Sequence, residues 1–137
     1  MSQSLPGRVT PTTLAALRVV SGALFLGHGL VKLAGFPEGA KPGLQPIASL
    51  LGVAALIEVT TGALLVAGLL TRPAAFLASG LAAAAYFLPH APASFFPVLN
   101  GGEPAILFSF IFLLISTAGP GAFALDNLRA ARRTVAA

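Results

Sequence analysis

The first apolar stretch of the chain, Thr13 to Gly35, carries three basic side chains, Arg18, His28 and Lys32, among Leu, Val, Ala and Phe. On a helix turning 100° per residue, Lys32 falls about 40° and His28 about 80° from Arg18. Ser21, Gly22, Phe25 and Gly29 share that sector. An ionisable group at the centre of a membrane helix costs roughly 2.5–3.5 kcal/mol on insertion scales. Such a face must pack against protein rather than lipid. Two carboxylates in apolar surroundings, Glu58 and Glu103, are the available counter-charges.

The bilayer enters through composition. Only 9% of the 137 residues are charged and 56% are hydrophobic, against roughly 25% charged in a soluble domain. Four apolar stretches, about 12–35, 47–70, 73–91 and 103–119, each approach the ~20 residues that cross a membrane. The sequence therefore predicts one domain over residues 1–137. It is an all-α integral membrane four-helix bundle with a basic tail, 122–137, that forms a short interfacial helix. The first span is longer than a signal peptide and contains Arg18 and Lys32, so it is expected to be retained. There is no cysteine, which excludes disulfides, thiol exchange and a thiolate metal site. Redox chemistry would need a bound cofactor or a partner.

The net charge of +4 is unevenly spread. Arg8, Arg18, Arg72, Arg129, Arg132 and Arg133 fall on one side of the predicted spans, with Lys32 and Lys41 on the other. The positive-inside rule then places both termini and the Arg72 turn in the cytoplasm, in a bacterial inner membrane. The basic tail reads as a signal for anionic lipid, not as a nucleic-acid site.

Local signals punctuate the spans. Thr12 or Thr13 is the expected N-cap of the first, and Gly35-Phe36-Pro37 ends it. The tight Gly68-Leu-Leu-Thr-Arg-Pro73 turn makes spans two and three a hairpin, with Thr71 capping and Pro73 in the first turn. Span three is rich in Ala at 82–85 and reads as a packed inner helix. Pro89, Pro92 and Pro97 predict that it ends there. Asn100 or Glu103 is the expected cap of span four, and Asp126 that of the tail helix.

With the N-terminus inside, His28, Lys32, His90, Asn100 and Glu103 should converge at the outer end, with Glu58 one to two turns deeper and Arg18 deeper still. Each has a plainer alternative. Arg18 and Lys32 could snorkel to opposite surfaces, Glu103 could be only a cap, His28 a hydrogen-bonded core histidine and His90 an interfacial loop residue. Glu58 has no route to water. It must be paired, protonated or facing a cavity, and a structural pair with Arg18 or Lys32 competes with a ligand contact. Two histidines from different spans could hold haem or a metal, but no His-x-x-x-His or Glu-x-x-His spacing asks for either.

Arg18, His28-Gly29, Lys32-Leu33, Glu58 with Gly62, Gly68-Leu-Leu-Thr-Arg72, Asn100-Gly-Gly-Glu103, Gly119-Pro-Gly121 and Leu125-Asp126 together resemble the DoxX family of small bacterial membrane proteins. The resemblance runs from about Arg18 to Asp126. It implies a four-helix membrane bundle but no single activity. The family name comes from the small subunit of an archaeal thiosulfate:quinone oxidoreductase, and related proteins are linked to redox-stress complexes or look like assembly factors.

Two functions are therefore expected from the sequence. In the first, the chain binds a quinone-like molecule in the outer half of the bundle, as a subunit of an oxidoreductase system. Arg18, His28, Lys32, Glu58, Asn100 and Glu103 would bind the ligand, Glu58 or Glu103 would exchange protons, and Glu58 and His28 would be the catalytic pair. Other redox subunits or further copies of the chain would be its partners. In the second, it is a non-catalytic scaffold or assembly subunit whose buried charges set helix register.

Overall fold

A computed structural model describes residues 10–135 of the chain. Arg8 and the rest of the expected N-terminal arm up to residue 9 lie outside the described residues, and so does the last part of the tail. Among the described residues the structure is helix and turn, without strands. The helices are α1 (Pro11–Ala34), α2 (Leu50–Ala67), α3 (Thr71–Ala85), the short α4 (Pro97–Asn100), α5 (Glu103–Ala118) and α6 (Leu125–Val135). Helices α1 and α2 are long and apolar enough to cross a membrane.

The four longest helices pack in a ring, α1 on α2, α2 on α3, α3 on α5 and α5 back on α1. The α1–α2 seam is built from small residues. A Cβ on Gly22 would stand 2.9 Å from Leu65 Cβ, and one on Gly29 would stand 2.6 Å from Val59 Cγ2. A Cβ on Gly62 would meet the Leu26 backbone at 2.7 Å. Glycine at these three places lets the two backbones touch, which is how apolar helices gain dispersion contact where no hydrophobic effect separates protein from lipid. The sector shared by Ser21, Gly22, Phe25 and Gly29 is buried, as the helical spacing predicts. The core continues through Leu65, Ala75, Ala78, Phe112 and Ile115.

Helix boundaries differ from expectation by the choice of cap. Thr10, not Thr12 or Thr13, opens α1, its hydroxyl accepting the Thr13 N–H at 3.2 Å, and Pro11 takes the first helical position. Gly102, not Asn100 or Glu103, precedes α5, and no side chain caps it. The prolines do not stop α3 at once. A π-helical turn, Tyr86–His90, carries it on past Pro89 and closes with Ala91 N–H donating to Tyr86 O at 2.9 Å.

Asp126 does not cap its own helix. Its two carboxylate oxygens accept the N–H groups of Leu70 and Thr71, both at 2.9 Å, at the start of α3. Helix α3 begins from Leu70 in the left-handed region (φ 49°) without a local side-chain cap. A residue far along the sequence therefore satisfies orphan donors that the tight turn leaves open. Burial alone would push the Asp126 carboxyl up; hydrogen bonds from the Thr71 amide and side chain and the Leu70 amide, with the Arg129 charge, together outweigh it and hold the group below its ordinary value.

Candidate functional site

Arginine at the hairpin end serves the backbone. Arg18 is fully buried. Its Nε donates to Pro120 O at 2.8 Å, its Nη1 to Leu65 O and Val66 O at 2.6 and 3.1 Å, and its Nη2 to Ala122 O and Phe123 O, both at 3.1 Å. The guanidinium has five N–H groups, and five contacts use them. Arg18 thus caps the C-terminal carbonyls of α2 and ties them to the loop before α6. Arg72 does the same for α5, donating to Ser116 O at 3.1 Å and to Thr117 O. Cations at helix C-termini also complement the helix dipole.

At the opposite end a cavity of about 270 Å³ opens between α1, α2, α3 and α5. The buried Glu58 projects from α2 and meets Lys32 of α1, whose Nζ donates to both carboxylate oxygens at 2.7 and 2.8 Å. The two side chains are 8% and 12% exposed. Lys32, Glu58, His28 and His90 all line the cavity, with Phe25 and Phe108 among its apolar walls. The His28 ring stands edge-on to Phe108, centroids 5.9 Å apart. Phe25 packs on both Phe108 and Phe112, at 5.7 and 4.9 Å, so the floor of the cavity is aromatic. Ala82 and Ala85 form the α3 wall. Within the alanine run, Ala82 is packed into the core as expected, whereas Ala84 is exposed.

His90 reaches this cavity because the π turn adds a residue to its helical turn and rotates the chain beyond it. Its Nδ1 lies 2.8 Å from Asn100 O. A carbonyl can only accept, so Nδ1 carries the proton, and in the neutral ring Nε2 is an acceptor.

The six residues singled out from sequence separate into two groups. His28, Lys32 and Glu58 line one cavity. Arg18 sits at the far end of the bundle, its donors consumed. Asn100 does not line the cavity: its amide donates to Ser94 O at 2.8 Å and its Oδ1 accepts Gly102 N–H at 2.7 Å, so it shapes the turn that holds His90. Glu103 is exposed at the start of α5 and is also absent from the lining. His90, expected from sequence at this same end of the bundle with an interfacial loop residue as its plainer reading, also lines the cavity. Nothing in Leu88-Pro-His-Ala-Pro signals a π turn. Among the described residues no three His, Asp or Glu side chains gather as a metal site.

Among the described residues the fold is all-helical, with two apolar helices long enough to cross a bilayer and a buried ion pair between them, the pattern of a helical membrane protein. The DoxX family model matches residues 13–91, which covers α1, α2, α3 and the π turn, and the chain belongs to the DoxX family. It is also 43% identical over 121 residues to a protein of Haemophilus influenzae described as uncharacterized, a match covering 85% of this chain and 90% of that one. No solved structure matches.

Proposed function

We propose that this protein is an inner-membrane component of an oxidoreductase system that binds a quinone-like molecule in the cavity between α1, α2, α3 and α5. Both termini and the Arg72 turn would face the cytoplasm, and the cavity would lie in the outer half. The observation that carries the reading is the Lys32–Glu58 pair: it forms one wall of a cavity that His28 and His90 also face, over an aromatic floor. Flat aromatic walls with a few convergent polar groups are how proteins hold a planar polar ring. A quinone supplies two-electron, two-proton chemistry, with electrons from a partner subunit or soluble donor because the chain has no cysteine. Lys32 and His28 would hydrogen-bond the ring oxygens, and Glu58 would exchange protons with them. The orientation is supported by Arg18, Arg72, Arg129 and Arg132 falling on the hairpin side and Lys32 and Lys41 on the other.

A scaffold role is favoured by a different observation. Both oxygens of Glu58 are already taken by Lys32, and Arg18 is wholly engaged with backbone. In that reading the buried charges fix register and the cavity holds only lipid or water.

Quinone titration of the purified protein, with mass spectrometry of co-purifying small molecules, separates the two. Saturable binding lost in His28→Ala, with unchanged thermal stability, supports the ligand site. Stable protein that binds no quinone, together with a Glu58→Gln variant that loses stability alone, overturns it in favour of the scaffold.

A further inference from the structure

We infer that the groove between α2 and α3 holds the apolar tail of the ligand, which reaches the polar cavity sideways from the bilayer past the Lys32–Glu58 pair; this rests on the quinone-like reading of the cavity. A second hollow, about 320 Å³, lies against the ion pair on the side away from His28 and His90. Lys32, Glu58 and Ala85 border both spaces, so the two spaces meet at the ion pair. Leu81, Ala84 and Ala85 form one stripe at i, i+3 and i+4 along α3, continued by Leu88 of the π turn, and face Leu50, Leu51 and Ala54 of α2. Leu50 is 72% and Leu88 61% exposed, so the groove opens at the surface of the bundle.

Its origin is in the hairpin. The Gly68–Leu70 turn holds α2 and α3 together at one end, where Leu65, Ala74, Ala75 and Ala78 close the core. Towards the other end α3 offers only methyl groups at Ala84 and Ala85, and the helices leave space between them. The π turn then directs Leu88 and Pro89 to the groove and His90 to the cavity, so one helical turn serves both.

The chemistry of the floor selects the occupant. An ammonium and a carboxylate at the bottom of a lipid-facing groove are poorly served by an acyl chain, which covers them without hydrogen bonding. A molecule with a hydrogen-bonding ring and one apolar tail satisfies both ends: its ring meets the pair from the cavity side and its tail fills the groove.

The test uses the full chain in lipid nanodiscs and a quinone carrying a photoreactive group on its tail. Labelled peptides are mapped by mass spectrometry. Labelling is expected on 50–54 and 81–88, suppressed by about tenfold or more by an unlabelled tailed quinone. Ala84→Phe, which fills the groove wall without touching the cavity, should abolish that labelling and leave the affinity for a tail-less quinone unchanged. Saturable head-group binding with the tail label on other helices overturns the groove alone. Equal labelling by a phospholipid with the same photoreactive chain, not displaced by quinone, makes the groove an acyl-chain site and also overturns it. A wild-type protein that binds neither quinone overturns the functional reading, and the groove's occupant with it.

Discussion

Replacing Arg18 by Met removes the charge and all its donors while keeping a long, unbranched apolar side chain in place. Five donor contacts disappear at once. The Leu65 carbonyl keeps a second donor, the Gly68 N–H at 3.2 Å. The carbonyls of Pro120, Ala122 and Phe123 have no other donor among the described residues. A buried acceptor left without a partner costs about 1–3 kcal/mol, and such losses do not add fully. Several such orphaned carbonyls, counted with incomplete additivity, give a total of roughly 3–5 kcal/mol. For a chain of this size that corresponds to a fall in Tm on the order of 10–20 °C. The measurement is thermal unfolding in a mild detergent, followed by circular dichroism, for wild type, Arg18→Met and Arg18→Lys. Lys keeps the charge but has only three donors and no planar fork, so it should restore less than half of the loss. Under the proposed quinone reading, the folded fraction of Arg18→Met should keep the wild-type affinity, because the cavity lies at the other end of the bundle. Stability within about 1 kcal/mol of wild type would refute the backbone-anchor argument. Quinone binding lost from protein that is still folded would place Arg18 in the ligand site instead.

Asp126→Asn should destabilise the α3 start by about 1 kcal/mol, the typical value of an N-cap, seen as faster amide exchange at Leu70 and Thr71. Because the Asp126 carboxyl is held below its ordinary value in the fold, its contribution is complete above the unfolded value near pH ~3.9. It is lost as pH falls through the lower folded value, so acid unfolding of Asp126→Asn should be less steep than that of wild type. Gly29→Val puts side-chain atoms where Val59 and the Ala55 carbonyl already lie; a loss of at least 1–3 kcal/mol, roughly the cost of overpacking, is expected in a denaturant titration. For the ion pair, Lys32→Met and Glu58→Leu should each cost about 3–5 kcal/mol, and the double variant much less than their sum, because neither charge is then left buried and unpaired. A double-mutant cycle with no coupling would refute the pairing.

Much of this architecture was legible in the chain. The four apolar stretches and the glycines on the basic sector of α1 express a helical period and a composition, and both act locally. That Glu58 had to be paired, protonated or facing a cavity followed from its distance from water alone. Which partner it took did not. Arg18 and Lys32 lie within about 40° on the same helix face, and only the direction and depth of α2 decided that Lys32 meets Glu58 while Arg18 meets backbone. The cap supplied to α3 by Asp126 and the delivery of His90 by a π turn were also beyond sequence reasoning. One joins residues 55 positions apart, and the other depends on a hydrogen-bond register that proline and alanine do not specify. Periodicity reports which face of a helix is apolar. Whether alanine at 82–85 packs closely or leaves a cavity depends on what stands opposite, and that is decided only when the helices assemble.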